Sequence, residues 1–517
     1  MSKSQAAIHL QEEDNVALAC RFLASGEEVA VNGHRITLQE PIPLGHKFAV
    51  EKIPTGEPIR KYGQTIGFAS SEVTAGTHVH VHNCDAGNFD RDYAYASEVP
   101  LTPAATSERT FQGYVRPDGR VGTRNYLAII STVNCSAFTS KAIARQVSDD
   151  LLKKYPNVDG ILPLTHKTGC GMAFDGEHHS QLARTLAGFA RHPNIGGYFV
   201  VGLGCEVGQA SHLIERQKLV QVEGVSSSAP APPGPPVMTI QEIGGITKTV
   251  ESGLRAIEEL LPRVNDVHRT AVPVSKLILG AECGGSDGNS GVTANPAVGA
   301  ASDVIVSHGG TAVIGETPEI YGAEHLLTRR AVTRDVGEAL VERIKWWEWY
   351  TSVFGAEINN NPTPGNKEGG LTTIYEKSLG AIAKGGSTAL KAVYRYAEPI
   401  TETGFVIMDT PGYDPVSLTG MVAGGANVCV FTTGRGSVYG CKPSPCIKVA
   451  TNSVMYDRMQ DDMDINAGVI LDGVAVREVG QQLFDLIVEV ASGRKTKSEL
   501  HGVGEDEFAP WEIGPTL

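Results

Sequence analysis

From about residue 112 onward, short apolar runs alternate with segments of helical periodicity, and this alternation constrains the fold more than any other feature. In the first half of this region the runs lie at 126–133, 160–166 and 197–204, with helices predicted near 137–154 and 246–262. The runs are continuously apolar, whereas a half-exposed strand would alternate apolar and polar residues. The pattern therefore predicts a parallel sheet buried between helices.

The second half of the region repeats this scheme from about residue 275. A long helix is predicted from about residue 323 to 354, and its apolar face favours a core or interface role; that face comprises Trp346, Trp347, Trp349 and Tyr350. Strands are predicted at 277–282, 303–316, 404–411, 427–434 and 447–452. Two Rossmann-like parallel-sheet α/β domains account for the whole region.

The first 84 residues have a different character, because short strand-like segments are separated by turn residues. Asn32-Gly33 between two such segments is a strong β-hairpin pattern. Residues 85–111 lack periodicity and are rich in Ala, Pro, Ser and Asp, as in a linker. We therefore divide this α/β chain into a small β-rich module (1–84), a linker (85–111), a first α/β domain (112–270) and a second α/β domain (271–517).

Composition excludes several classes of function. The 517 residues carry a net charge of −14 without a long basic run, so a nucleic-acid partner is not expected. No apolar run reaches the ~18 residues that a membrane span requires, and the N-terminus lacks the apolar core of a signal peptide. We expect a cytoplasmic protein without membrane partners. An anionic substrate would need local cations, a metal or helix N-termini to bind it.

Nine cysteines occur in the chain, and four of them follow predicted strands. An odd number without a C-x-x-C pair argues against a disulfide framework and a zinc ribbon. Free cysteine is usually a small buried hydrophobe, which is the simplest interpretation of each one alone. Together the four form a candidate metal site, in which three thiolates could hold an iron–sulfur cluster with one iron open to substrate. They are Cys135, Cys170, Cys205 and Cys283.

Polar side chains are concentrated in the loop 281–296, directly after a predicted strand. Ligands of open α/β sheets bind at the carboxyl ends of strands, although such a loop could also be a glycine-rich turn that caps the next helix. In segment 431–440, hydroxyls, glycines and an arginine suit a carboxylate ligand. The candidate substrate ligands are Glu282, Ser286, Asp287, Thr293, Asn295, Asn366, Thr432, Thr433 and Arg435.

Three histidines alternate near the end of the β-rich module: His78, His80 and His82. In a strand they would share one face, where they could bind a single metal ion or simply be solvated. Candidates for the general base are His166, Lys167 and Lys367. The first two are placed at a predicted strand end, and partial burial would lower the pKa of a lysine enough for base catalysis.

Several long motifs resemble those of the bacterial altronate dehydratase / galactarate dehydratase family. They are GYVRPDGRVGTRNYLAII, THKTGCG, VGLGCE, AECGGSDGNSGVTANP, NPTPGNKEGGLTT and FTTGRGSVYG. The N-terminal segment GHKFAVEKIPTGEPIRKYGQTIG resembles the SAF-type β module that precedes the catalytic region in that family. The resemblance implies metal-dependent elimination of water from a hexonic or hexaric acid, a carbon–oxygen hydro-lyase reaction that uses Fe(II) or Mn(II).

The resemblance leaves the substrate open. HVHVHN and DTPGYDPVS are more similar to altronate dehydratases, which form 2-keto-3-deoxy-D-gluconate, whereas KYPNVDG and DDMDINAG are more similar to galactarate dehydratases, which form 5-keto-4-deoxy-glucarate. An eliminase similar to sulfolactate sulfo-lyase and a non-catalytic sugar-acid-binding protein are further alternatives. In each case we expect a small-molecule sugar-acid ligand and a homo-oligomer.

Overall fold

The computed structural model describes residues 5–89, 91–105, 107–221 and 234–514. These residues form a small β module, a middle α/β domain and a larger C-terminal α/β domain, so the predicted fold class is confirmed. Among the described residues, we find no helix with the length and apolar character needed to span a bilayer.

Nine short strands build the N-terminal module, and all of their pairings are antiparallel. The Asn32-Gly33 hairpin is confirmed, because both residues have positive φ (49° and 80°), as a two-residue hairpin turn requires. The strands are β1 (Ala7–Ile8), β2 (Val16–Ala19), β3 (Glu28–Val31), β4 (His34–Thr37), β5 (Lys47–Ala49), β6 (Pro58–Lys61), β7 (Gln64–Ala69), β8 (His78–Val79) and β9 (Cys84–Asp85).

The middle domain contains a four-stranded parallel sheet in the order β13-β12-β14-β15. A small antiparallel sheet, β11-β10-β16, lies where the chain enters and leaves this domain. The strands are β10 (Thr110–Val115), β11 (Val121–Gly122), β12 (Tyr126–Ser131), β13 (Gly160–Leu164), β14 (Ile195–Gly202), β15 (Val237–Thr239) and β16 (Arg269–Pro273). The helices are α1 (Asn134–Arg145), α2 (Asp149–Leu152), α3 (Glu177–Ala190), α4 (Ala210–Gln217), α5 (Ile240–Ile243) and α6 (Ile246–Asn265).

The C-terminal domain contains a seven-stranded parallel sheet in the order β19-β20-β18-β17-β21-β22-β23. Its strands are β17 (Ile278–Cys283), β18 (Thr311–Ile314), β19 (Leu390–Tyr394), β20 (Gly404–Met408), β21 (Val428–Thr433), β22 (Cys446–Ala450) and β23 (Ile465–Asn466). Its helices are α7 (Ala294–Ser307), α8 (Glu324–Arg329), α9 (Arg334–Val353), α10 (Pro364–Glu368), α11 (Ile374–Ala381), α12 (Asp414–Ala423), α13 (Ser453–Arg458), α14 (Val476–Ala491) and α15 (Lys497–His501).

Four predicted elements were wrong in extent. The strand predicted at 303–316 is mostly helix, because α7 continues to Ser307 and only β18 is extended. The long helix at 323–354 is two helices, since Ala331 pairs with Leu390 and the Thr333 side chain caps α9. The helix at 137–154 is likewise divided into α1 and α2. In HVHVHN, a turn follows the two residues of β8.

The N-terminal module docks on the C-terminal domain through a buried ion triad. Lys47 Nζ and Lys61 Nζ lie 2.8 Å and 2.9 Å from the two carboxylate oxygens of Glu376 on α11, and none of the three side chains is exposed by more than 2%. Burial raises the pKa of Glu376, but the two lysines lower it more, so the net pKa is well below the ordinary value. The triad fixes the module beside the carboxyl end of the large sheet.

Candidate active site

The carboxyl end of the large sheet has a topological switch point between β17 and β21. From β17 the chain passes to β18 on one side, and it later returns to β21 on the other side. Loops that leave neighbouring strands in opposite directions open a crevice, which is where doubly wound sheets bind ligands. The polar loop that follows β17 lies at this crevice, so its predicted position at a sheet edge agrees with the topology.

Acidic side chains and lysines meet at this edge in what we call the carboxylate–lysine centre. Lys384 Nζ donates to Cys283 Sγ (2.8 Å) and to Glu316 Oε2 (3.1 Å). Lys377 Nζ lies 2.7 Å from Glu319 Oε1. The centre consists of Glu282, Cys283, Glu316, Glu319, Lys377, Lys384 and Asp414.

A chain of hydrogen bonds joins the backbone of Glu316 to the carboxylate of Glu282. The backbone N–H of Glu316 donates to Thr410 Oγ1 (2.6 Å), which lies 2.7 Å from Ser417 Oγ. Ser417 Oγ donates to Glu282 Oε2 (2.9 Å). Glu316 itself has a positive φ of 60°, an unfavourable conformation for a residue other than glycine. Strained backbone of this kind is concentrated at functional sites, where the surrounding contacts hold it.

Burial shifts the pKa values of the acidic groups in the carboxylate–lysine centre. Burial, with Glu316 as the second cause, raises the pKa of Glu282 well above its ordinary value. Burial also raises the pKa of Glu316, but Lys384 and Lys377 reverse this effect and the net pKa is lowered. Burial and Glu316 raise the pKa of the Cys283 thiol to about 12 and that of Asp414 to about 7. Glu316 is therefore the firmly ionised carboxylate of the group.

Two buried oxygens of the centre, Glu282 Oε1 and Glu316 Oε1, have no hydrogen-bond donor among the described residues when both carboxyl groups are ionised. When Glu282 is protonated, a hydrogen bond joins it to Glu316. An unpaired buried carboxylate oxygen is costly, and a bound cation or a substrate hydroxyl would remove that cost. Gly284 permits the close approach of Asp414, because a Cβ there would lie 2.1 Å from Asp414 Oδ2.

Three sets of potential metal ligands occur among the described residues, each with one ligand atom per residue within 4.8 Å of the others. Two of the sets lie in the carboxylate–lysine centre and share Glu316, and the third lies in the middle domain. They are Glu282–Glu316–Asp414, Cys283–Glu316–Glu319 and Asp175–His179–His212. The alternating histidines do not form such a set with one another, and neither do the strand-end cysteines, of which Cys283 alone belongs to one of the three sets.

A cavity of about 610 Å³ lies between the middle and C-terminal domains, and we call it the interdomain cleft. One wall consists of residues that follow β12 and β13, among them Asn134 and His166. Tyr413 and Pro415, on either side of Asp414, belong to the opposite wall, and the C-terminal segment 506–510 closes the cavity. The cleft thus brings strand-end loops of one domain next to the residues that flank Asp414 in the other.

Most of the predicted substrate ligands use their polar atoms inside the protein. The Asp287 carboxylate accepts five hydrogen bonds, from Asn289, Ser290, Thr451 and Asn452. Thr432 Oγ1 donates to Asn295 Oδ1 (2.6 Å). Thr293, Asn366 and Thr433 bond mainly to nearby backbone groups. These side chains hold the loop in place, although the Thr293 side chain does not cap α7 as the alternative interpretation of the loop expected.

Three of the predicted substrate ligands keep polar atoms for a ligand. Glu282 is the first, and Ser286 Oγ has no partner among the described residues. Arg435 lies at the surface, with 46% of its side chain exposed, and pairs with the more exposed Glu368 at 3.1 Å. A pair so open to water is weak and can exchange for a substrate carboxylate.

The alternating histidines do come together, but through a turn and not through a strand face. The ring centroids of His78 and His80 lie 5.2 Å apart, and His46 joins them with its Nδ1 3.0 Å from His78 Nε2. His80 Nε2 and His46 Nε2 contact the carbonyls of Lys367 and Glu368 at 2.7 Å and 3.1 Å. Burial lowers the pKa of His46 to about 4 and that of His78 to about 3.

The residues predicted as bases lie in different surroundings. His166 is buried, its Nε2 lies 3.0 Å from the Ser131 carbonyl, and its Nδ1 accepts from the backbone of Thr168. Burial lowers the pKa of His166 to about 4. Both of its ring nitrogens are already engaged by backbone groups of the protein. Lys167 is exposed at the interdomain cleft, and Lys367 is half-buried beside the histidines.

The structure also separates the four predicted cysteines. Cys283 is buried in the carboxylate–lysine centre, whereas Cys135, Cys170 and Cys205 are free and exposed in the middle domain. Sequence reasoning missed Glu319, Lys377, Lys384 and Asp414 as site residues. The acidic residues follow strands, which is a usable signal, but the lysines occur in a helical segment without any distinguishing pattern.

Comparison with known proteins finds matches along most of the chain. Family models match residues 5–87 (altronate/galactarate dehydratase SAF domain), 113–265 (D-galactarate dehydratase/altronate hydrolase, second domain) and 274–516 (D-galactarate/altronate dehydratase, C-terminal). An altronate dehydratase of Escherichia coli K12 is 36% identical over 514 residues, which is 99% of both chains. The chain belongs to the altronate/galactarate dehydratase family.

Two further relatives of this family also match most of the chain. An altronate dehydratase of Bacillus subtilis 168 is 33% identical over 515 residues, 99% of each chain. A galactarate dehydratase (L-threo-forming) of E. coli K12 is 40% identical over 466 residues, 89% of this chain and 88% of the relative. The protein is accordingly a sugar-acid dehydratase, a hydro-lyase, and the resemblance stated from its motifs is confirmed.

Proposed function

We propose that this dehydratase removes water from D-altronate to give 2-keto-3-deoxy-D-gluconate. The observation that carries the proposal is the carboxylate–lysine centre at the switch point of the large sheet. The match to two altronate dehydratases over nearly their full length favours altronate.

The reaction needs charge stabilisation, because the proton next to a carboxylate is very weakly acidic. Its removal leaves an anion that a site must hold before the β-hydroxyl departs. Lys377 and Lys384 supply two buried positive charges for this anion, and burial makes each charge more effective. These lysines also offset the net charge of −14, which would otherwise repel an acid.

A divalent ion, Fe(II) or Mn(II), fits the centre. Glu282, Glu316 and Asp414 would hold it, since their oxygens lie within 4.8 Å of one another and two buried oxygens have no partner. Carboxylate ligands suit Mn(II) and related hard ions. When bound, such an ion would polarise the substrate carboxylate and stabilise the enediolate.

The histidine group fits a metal ion less well. His46 uses both ring nitrogens, one toward His78 and one toward the Glu368 carbonyl. His80 Nε2 is held by the Lys367 carbonyl, and His82 lies at the exposed end of the turn. We therefore assign these histidines to holding the C-terminal end of α10, which carries Lys367 and Glu368, the ion-pair partner of Arg435.

We assign Arg435 and Ser286 to the substrate's carboxylate and hydroxyls. Arg435 follows β21 and Ser286 follows β17, so both lie at the switch point. A guanidinium binds a carboxylate through two parallel hydrogen bonds, and a free hydroxyl pairs with a sugar hydroxyl. Lys367 and Lys167 are the remaining candidates for the base.

Galactarate is the second candidate substrate, favoured by the 40% identity to a galactarate dehydratase. It differs from altronate in carrying a second carboxylate. The test is an anaerobic assay with D-altronate, galactarate and sulfolactate, each with Fe(II) or Mn(II), that follows 2-keto acid and sulfite. Formation of keto acid from altronate supports the proposal. Keto acid from galactarate alone, or sulfite from sulfolactate, would replace it, and no product from any of them would refute it.

A further inference from the structure

Three loops that carry exposed cysteines meet at one edge of the middle domain. In the sheet, β12 lies between β13 and β14, and the three strands are parallel, so their carboxyl ends lie side by side. Cys135 stands in the first turn of α1 after β12, Cys170 follows β13, and Cys205 follows β14. All three thiols are free.

Hydrogen bonds hold these loops together within three residues of each cysteine. The backbone N–H of Asn134 donates to the Thr168 carbonyl (2.9 Å), and that of Gly208 donates to the Gly169 carbonyl (3.2 Å). Gly169 has a φ of 102°, and a Cβ there would lie 2.3 Å from the Thr132 carbonyl oxygen. The loops therefore approach each other at a distance that only a glycine permits.

The spacing of the sulfurs is too wide for a single ion. A zinc or iron ion bonded to thiolates at ~2.3 Å needs sulfurs within ~4 Å of one another. The three cysteines are not among the described sets of ligands that lie within 4.8 Å. An iron–sulfur cluster is larger than one ion and binds thiolates at separate corners, so it tolerates the wider spacing.

We propose that Cys135, Cys170 and Cys205 bind an iron–sulfur cluster with one iron that lacks a protein ligand. Cys283, the fourth strand-end cysteine, is engaged by Lys384 in the other domain, so this chain supplies three thiolates. Gln241 Nε2 donates to Cys205 Sγ at 3.3 Å, a hydrogen bond of the kind that tunes such clusters. The N-terminus of the 12-residue α1 adds a favourable field for an anionic group.

The open iron would face the interdomain cleft. Asn134, next to Cys135, and the segment 165–167, close to Cys170, line one wall, and the neighbours of Asp414 line the other. A sugar acid in the cleft could then reach the cluster with its β-hydroxyl while it contacts the residues that flank Asp414. The α-proton passes to a protein base, the C–O bond electrons leave with the hydroxyl, which is protonated to water, and no electron is gained or lost.

The assignment of the hydroxyl rests on the proposed function, whereas the cluster itself does not. The experiment purifies the full chain without oxygen and measures iron, acid-labile sulfide, the visible absorption near 400 nm and the electron paramagnetic resonance spectrum after reduction. We expect about four irons and four sulfides per chain, and less than about a tenth of both in the Cys135→Ser, Cys170→Ser and Cys205→Ser variants. Adding D-altronate should change the resonance spectrum of the reduced wild-type protein.

Two controls make the result decisive. Cys283→Ser should keep the iron and sulfide, and Cys20→Ser, in the N-terminal module, should keep both these and the activity. Wild-type iron and sulfide content in the three serine variants, or full activity of a sulfide-free protein with Mn(II), would overturn the cluster. A cluster without dehydration of any sugar acid would refute the proposed function and leave the cluster standing.

Discussion

Lys384 Nζ lies 2.8 Å from Cys283 Sγ, and each of the two residues is only 2% exposed. The lysine also pairs with Glu316, so one buried cation neutralises the most firmly ionised carboxylate of the site. Burial lowers the pKa of Lys384, but Cys283 and Glu316 raise it more, so the lysine stays charged. Because the charge of Lys384 is buried and paired, Lys384 contributes to the stability of the fold as well as to the electrostatics of the site.

Replacement of this lysine should therefore destabilise the protein. Lys384→Met leaves Glu316 buried without its cation, and the loss of one partner of a buried pair costs ~3–5 kcal/mol. Urea unfolding at neutral pH measures this change. Lys391→Met, at an exposed position on β19, should change stability by less than ~0.5 kcal/mol. Equal stability of the two variants would contradict the buried pairing.

The ion triad around Glu376 predicts a specific effect of pH. Because the folded-state pKa of Glu376 is lowered, its stabilisation is complete above the unfolded-state pKa of ~4.3 and is lost progressively as pH falls from there through the folded-state pKa. Protonation of Glu376 would leave Lys47 and Lys61 as buried positive charges without a counter-ion. The N-terminal module should therefore be held less firmly in acid. Hydrogen exchange of the segments 45–49 and 58–61, followed by mass spectrometry between pH 7 and pH 3, measures this.

The variant Glu376→Gln should show the acid behaviour at neutral pH. Its faster exchange in the module should be nearly independent of pH, since the titrating group is gone. Glu57→Gln, at an exposed position of the same module, is the matched control and should exchange like the wild type. Protection of the module that is unchanged in Glu376→Gln would show that the triad does not hold the interface.

The proposed divalent site should depend on Glu282. Glu282→Gln removes one of the two carboxyl groups that have an unpartnered oxygen and prevents it from becoming a negative ligand, so chelator-treated protein should bind Mn(II) at least ~10-fold more weakly. Isothermal titration with Mn(II) measures the affinity, and keto-acid formation measures the loss of activity. Glu342→Gln, whose side chain is 72% exposed on α9, should leave both unchanged. Wild-type affinity in Glu282→Gln would exclude this carboxylate as a ligand.

Arg435 should act on substrate binding without a role in stability. Its ion pair with Glu368 is exposed and is worth at most ~1 kcal/mol, whereas a charge-assisted hydrogen bond to substrate is worth ~1.5–3 kcal/mol. Arg435→Met should thus raise KM for altronate by ~10- to 100-fold with little change in unfolding. Arg334→Met, at another exposed ion-paired arginine, should leave KM unchanged. Steady-state kinetics with each variant measures KM. A wild-type KM for altronate in Arg435→Met would contradict this role.

Local patterns predicted the strands well where the chain is uniformly apolar, as in β12, β14 and β21, because continuous burial leaves a simple signal. The errors arose where a helix shares that apolar character. α7 is buried against the sheet on most of its surface, so its last turn near Ser307 looked like part of the following strand. The apolar run could not mark the boundary at Gly309-Gly310, because periodicity alone does not separate a buried helix from a strand.

The candidate site shows the same limit. Asp287 and Glu282 belong to one loop and looked equivalent as candidate ligands, yet the first has five internal hydrogen bonds and the second has an unpartnered oxygen. The donors to Asp287 include Thr451 and Asn452, which are 164 and 165 residues away in the chain. No spacing rule connects residues so distant, so the sequence could not tell a structural carboxylate from one available to a ligand.

The sequence by itself determined the α/β class, the small β module before it, the family, and the rule that polar loops follow the strands. Those properties depend on local periodicity and on motifs that are contiguous in the chain. Only the tertiary structure decided which polar groups remain free, that Lys377 and Lys384 enter the acidic centre, and that Cys283 stands apart from the other three strand-end cysteines. The physical reason is that hydrogen-bond partners and buried charges come from residues that meet only when the sheet closes.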